Sequence, residues 1–166
     1  QVMDHGVKLV DKLFTKKISK KPDVIITAAD GYPHDINLYQ ALKAVHSAAQ
    51  VIKDKGSIVL SAECAEGMGN KIYQDWLKTY DSAEQIQDEL TNHFQIGAHK
   101  AYYHWEIINR STVYLVSCFN QSFVQNSLGF KPVQSIQEGF DKIGATKKEI
   151  EQILIVPKGS TTRIML

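Results

Sequence analysis

Apolar positions along the chain follow two alternating rhythms, and the alternation itself predicts the fold class. Short continuous runs rich in β-branched residues occur at 23–29 (Asp23-Val24-Ile25-Ile26-Thr27-Ala28-Ala29), 57–62, 112–117 and 153–156. Such runs are the mark of strands buried on both faces of a parallel sheet. Between them the apolar residues recur at helical spacing. Leu38, Ala41, Leu42, Val45, Ala48, Ala49 and Ile52 form one stripe, on a helix expected to run to about Lys55 with Gly56 as its stop. Ile72, Trp76 and Leu77 mark a second helix, and Ala83, Ile86 and Leu90 a third, capped by Asp81 or Ser82. A fourth pattern runs from Ala98 through Tyr103, Trp105 and Ile108, and a fifth from Val133 to Ile143, anchored by Phe140 and Ile143 and ended by Gly144.

Before the first strand, Val7, Val10, Leu13 and Phe14 give an amphipathic helix, and the lysine-rich run from Lys16 to Pro22 reads as a solvated connection. Strands that alternate with helices imply right-handed crossovers. The expected architecture is therefore a three-layer, Rossmann-like α/β domain with a mainly parallel sheet of about four strands flanked by helices.

Composition agrees and narrows the function classes. The chain has 166 residues, 43% of them hydrophobic and 22% charged, enough for one domain with a real core. A net charge of +1 gives no field that would draw nucleic acid or an anionic membrane, and the apolar runs are too short and too interrupted to span a bilayer. A cytoplasmic protein is expected, with Cys64 and Cys118 as isolated buried thiols. The start at Gln1 without a methionine and the apolar end at Leu166 suggest a piece of something longer.

In an open α/β sheet, ligands bind beyond the carboxyl ends of the strands. Three such ends are polar here: 30–43, 63–70 and 157–162. In the first, Gly31 permits a sharp turn, Pro33 fixes φ, and Asp35 or Asn37 can cap the next helix. That helix N-terminus, with Gln40 and Lys43 one turn in, has the chemistry of a carboxylate cradle. On the residues alone a solvated helix face is the commoner outcome for Tyr39, Gln40 and Lys43. Gly67-x-Gly69 lacks the third glycine of a dinucleotide fingerprint, and Glu63 and Glu66 read as solvated. The histidines His34, His46, His93, His99 and His104 are scattered and form no paired metal motif, so no metal ligand is assigned.

The segment Gly31-Tyr32-Pro33-His34-Asp35-Ile36-Asn37-Leu38-Tyr39-Gln40-Ala41-Leu42-Lys43-Ala44 resembles the G-Y-P-x-D-x-N-L-Y-Q-x-x-K-A segment of the nickel-dependent lactate racemase family. Ala62 to Gly69, Gly97-Ala98-His99-Lys100-Ala101 and Val156-Pro157-Lys158-Gly159 follow in the family's order. The resemblance covers most of the chain and only the family's C-terminal domain.

It implies that residues 1–166 are one C-terminal domain of a two-domain protein, with 1–21 as its leading helix and connection. The absent N-terminal domain would then carry the nickel-pincer nucleotide, its covalent lysine and the catalytic histidines. By the family's motif, Tyr39, Gln40 and Lys43 are the substrate-binding residues. His99, Lys100 and Trp105 are further candidates, with Tyr103 and Trp105 weighed as an aromatic wall against plain core packing. The implied reaction is hydride removal from a 2-hydroxy acid and its return to either face of the keto acid. No catalytic group is assigned to this chain, which is expected to be inactive alone, with the N-terminal domain and a small 2-hydroxy acid as its partners. A non-catalytic α/β binding or assembly module is the alternative, and a stand-alone nucleotide-binding domain a weaker one.

Overall fold

The computed structural model describes residues 2–147 and 149–166. In chain order the elements are α1 (Val2–Phe14), β1 (Thr15–Lys17), β2 (Val24–Ala28), α2 (Leu38–Ala49), β3 (Gly56–Ser61), α3 (Lys71–Thr79), α4 (Ala83–Asn92), α5 (Ala98–Arg110), β4 (Ser111–Val116), α6 (Gln121–Ser127), β5 (Lys131–Val133), α7 (Ile136–Thr146), β6 (Ile153–Val156) and β7 (Arg163–Met165). Five parallel strands form the main sheet in the order β5-β4-β3-β2-β6.

Side chains alternate along each strand, so the sheet divides the core in two. Ile25, Ile58, Leu60, Val113 and Leu115 belong to the large cluster with α2 and α5. Val24, Val59 and Tyr114 face the other way with Val133 of β5 and Ile143 of α7. Helix, sheet and helix make three layers, as the sequence pattern predicts. Helix α2 buries Leu38, Ala41, Leu42, Ala44, Val45 and Ala48, roughly 1.5–3 kcal/mol for each large side chain removed from water.

The structure corrects the sequence reading in four places. The helix expected from Val133 starts at Ile136, capped by Ser135, and Val133 instead ends the short β5, which joins the about four strands expected. Helix α2 stops at Ala49, and Gly56 opens β3 under the Ile52 side chain, which leaves no room for a Cβ. Gly144 lies inside α7, not at its end. The lysine run is not all solvated loop, since Lys16 and Lys17 pair with Ile164 and Met165 in a two-stranded parallel sheet. A three-residue strand is too short to show a period, which is why β1, β5 and β7 escape pattern reading.

The thiols also differ from expectation. Cys64 is buried, and its thiol is pushed up to about 12, chiefly by burial. Cys118 is exposed and points its Sγ at the Cys64 carbonyl, 3.4 Å away, so the two are neighbours in space. Helix α1 is amphipathic as predicted, yet none of its residues is buried by this chain. Among the described residues no helix is long and apolar enough to cross a membrane.

Candidate substrate site at the switch point of the sheet

From β2 the chain winds outward through β3, β4 and β5, then returns to place β6 on the other side of β2. The crevice beyond the carboxyl ends of β2 and β6 is therefore the switch point of the sheet, the favoured place for a ligand in such folds. Two of the three polar strand ends meet there. Asp30, at φ 64°, accepts from the Ser160 N–H at 3.0 Å and the Thr161 hydroxyl at 2.6 Å. The Gly159 N–H donates to the Ala28 carbonyl at 2.9 Å. A Cβ on Gly159 would strike the Thr27 hydroxyl and come within 2.8 Å of Ala44, so the close approach of loop and sheet needs glycine at that position.

The third polar end, 63–70, is fastened to the turn before α2. Cys64 N–H and Glu66 N–H donate to the carbonyls of Asp35 and Ile36, each at 2.8 Å. In return, Leu38 N–H and Tyr39 N–H donate to the carbonyls of Gly67 and Met68 at 2.9 and 3.2 Å. Asn37 is the N-cap, its Oδ1 accepting from Gln40 N–H at 3.0 Å. Gly69, at φ 80°, lies so close to the Asn37 side chain that a Cβ would displace the cap. These bonds revise the anion cradle expected from helix-end electrostatics. The first N–H groups of α2 are spent on the neighbouring loop and the cap, which leaves only side chains to meet an anion there.

Of those side chains, Tyr39 and Gln40 are half-buried on the first turn and Lys43 is exposed one turn on. Lys100, in the first turn of α5, holds its Nζ 5.1 Å from the centroid of the Tyr39 ring, a cation–π contact worth about 1 kcal/mol. Burial, and after it the charge of Lys43, lowers the Lys100 ammonium to about 8. His99 is also lowered, by burial and then by Lys100.

Lys43 and Lys100 line a groove of about 660 Å³ with His46, Tyr103 and the chain from Gly159 to Leu166. That size suits a small ligand. Of the trio only Lys43 lines the groove; Tyr39 and Gln40 stand one turn nearer the start of α2, and Tyr39 reaches it through its contact with Lys100. The aromatic wall within the groove is Tyr103, its ring 4.5 Å from that of His46 and tilted 36° to it. Trp105 instead packs against the core, with its indole N–H buried and unpaired among the described residues. His46 was passed over in the sequence as one of several scattered histidines. Its position three residues after Lys43, on the same helix face, is the signal that finds it.

Behind Tyr39 stands a buried polar spine. The Tyr73 ring lies 6.1 Å from that of Tyr39, and its hydroxyl meets His104 Nδ1 at 2.8 Å. His104 Nε2 donates to the Leu128 carbonyl at 2.7 Å, and its ring stacks on Phe130 at 4.6 Å. With Nε2 as donor, Nδ1 accepts from the tyrosine, which fixes a neutral tautomer. Burial lowers His104 to about 4, opposed by its bond to Leu128, so it stays neutral at physiological pH.

The profile of the lactate racemase C-terminal domain family matches residues 17–164. The chain belongs to that family. Among characterised members, the lactate racemase of Thermoanaerobacterium thermosaccharolyticum is 24% identical over 162 residues, covering 93% of this chain and 37% of the relative. The lactate racemase of Lactiplantibacillus plantarum is 23% identical over 154 residues, covering 88% and 36%. The structure of the Thermoanaerobacterium lactate racemase apoprotein superposes with a TM-score of 0.86 at 22% identity, over 99% of this chain and 40% of that one. A Thermotoga maritima protein shares the fold at a TM-score of 0.64 and 11% identity. The chain thus spans under two fifths of the length of the two lactate racemases it aligns with. Among its described residues, no group of three or more His, Cys, Asp or Glu side chains could hold a metal ion.

Proposed function

We propose that this chain is the substrate-holding domain of a 2-hydroxy acid racemase of lactate type, completed by an N-terminal domain. The observation that carries the reading is the wall at the switch point: Tyr39, Gln40 and Lys43 stand on the first two turns of α2, and Lys43 faces a small groove with no carboxylate paired to it among the described residues. An exposed cation beside a half-buried amide and phenol suits a carboxylate with an adjacent oxygen. Lys43 holds the carboxylate, Gln40 donates to the 2-oxygen, and Tyr39 forms the wall that keeps the acid oriented. A keto acid must not escape between the two halves of a racemisation, and a groove closed by a second domain would retain it.

The nickel-pincer nucleotide implied by the resemblance is assigned, as the resemblance has it, to that second domain. Two features support a two-domain protein. The relatives are much longer than the matched region, and α1, which precedes residue 17, exposes an apolar face holding Val7, Val10 and Leu13. The test is direct: the intact protein is given one enantiomer of lactate and the other is followed by chiral chromatography. The intact protein should approach the racemate and residues 1–166 alone should not. Absence of racemisation by the metal-loaded intact protein, across lactate and longer 2-hydroxy acids, would leave a binding or assembly module as the answer.

A further inference from the structure

Lys100 is in an unusual position for a lysine. It is half-buried in the first turn of α5, its ammonium lies over the face of Tyr39, and the charge that acts on it is that of another cation, Lys43, in the same groove. Leu166 also lines the groove, and no anion is among the groups that act on the Lys100 ammonium. The titratable groups around Lys100 are, from α2, Lys43, His46 and Tyr39; from α5 itself, His99 and Tyr103. Arg163 of β7 also lines the groove, with its guanidinium on Asp11 at 2.9 Å. Asp30 is committed to Ser160 and Thr161, Tyr73 of α3 is bonded to His104, and Glu84 of α4 acts on Tyr102. Among the described residues, neither Lys43 nor Lys100 forms an ion pair.

Two ammonium groups that line one partly dry groove repel, and the repulsion turns into attraction when an anion lies between them. We propose that Lys100 is a second ligand for the substrate carboxylate, sharing its two oxygens with Lys43 while the Tyr39 ring supports the lysine from beneath. This rests on the substrate-holding role given above and deepens it. It makes the carboxylate, rather than the 2-oxygen, the most strongly held part of the acid.

Proton linkage follows. With its ammonium lowered to about 8, free Lys100 is partly neutral at mildly alkaline pH, and the anion binds only the charged form. Affinity is therefore full well below pH 8 and falls as pH rises through it.

The experiment is calorimetric titration of the intact, metal-loaded protein with lactate, for the wild type, Lys100→Met and Lys100→Arg, with thermal melts to confirm folding. Lys100→Met keeps the stem over Tyr39 and removes the charge, and it should weaken lactate binding at pH 7 at least tenfold. Lys100→Arg should stay within about threefold of wild type. Wild-type affinity should fall toward tenfold per pH unit above 8, while that of Lys100→Arg stays level, since a guanidinium does not titrate there. Unchanged lactate affinity in Lys100→Met, or the same pH dependence in wild type and Lys100→Arg, would overturn the proposal. So would loss of nickel loading with lactate affinity intact, which would assign Lys100 to the cofactor. In each of these cases a wild type that still racemises lactate leaves the broader reading standing. A wild type that neither binds nor racemises 2-hydroxy acids defeats both.

Discussion

The Asp30 carboxylate accepts a 2.6 Å hydrogen bond from the Thr161 hydroxyl and so clasps the end of β2 to the loop that follows β6. The clasp fixes Ser160 and Thr161, which line the switch-point groove, and Asp30 adopts a left-handed φ of 64°. Aspartate and asparagine tolerate that conformation better than alanine. Asp30→Ala should therefore lose the charged hydrogen bonds and add backbone strain, about 1–3 kcal/mol in all. Asp30→Asn should lose less. Urea unfolding of the two variants checks this, and equal destabilisation would contradict the division between carboxylate and backbone.

The spine from Tyr73 through His104 to Leu128 predicts a pH dependence of stability. The folded state keeps His104 neutral down to about pH 4, whereas the unfolded chain protonates it near 6.5. The unfolded state binds the extra proton between those values, so the contribution is complete above pH 6.5 and is lost as pH falls toward 4, on the order of 3 kcal/mol. Unfolding free energies at pH 7.5 and 4.5, for wild type and His104→Gln, isolate this contribution. The variant should be less stable at pH 7.5 and should show the shallower pH dependence. Parallel curves would remove His104 as the cause.

The two thiols should separate in reactivity. Cys118 is exposed, while Cys64 is buried with its thiol raised to about 12, and the thiolate is the reactive form. A maleimide at pH 7.5 should label Cys118 first, with Cys64 labelled only on unfolding. Peptide mapping reads this out, and equal labelling in the folded protein would contradict the burial of Cys64.

How far the sequence reveals these features follows from the physics of each segment. The long strands β2, β3 and β4 are legible because both faces are buried and the apolar runs are continuous, as at Val24-Ile25-Ile26. Strands β1 and β7 are not, because Thr15–Lys17 is wholly polar, Arg163–Met165 is only three residues long, and the two are paired by tertiary proximity rather than by pattern. Tyr39, Gln40 and Lys43 are visible as a group since helical spacing places them together. The pairing of Lys43 with Lys100 is invisible, because it depends on how α2 and α5 meet. Helix-end electrostatics overstates the free N–H groups of α2, since a single sequence does not show that Gly67 and Met68 return to accept them.

The central claim is that Lys43 holds the substrate carboxylate. Its most direct test is chiral turnover of lactate by the intact, metal-loaded protein carrying Lys43→Ala, with nickel content and thermal unfolding measured on the same sample. The account predicts a fall in kcat/KM of at least a hundredfold, with nickel loading and unfolding temperature unchanged. Turnover within a factor of three of wild type would contradict it.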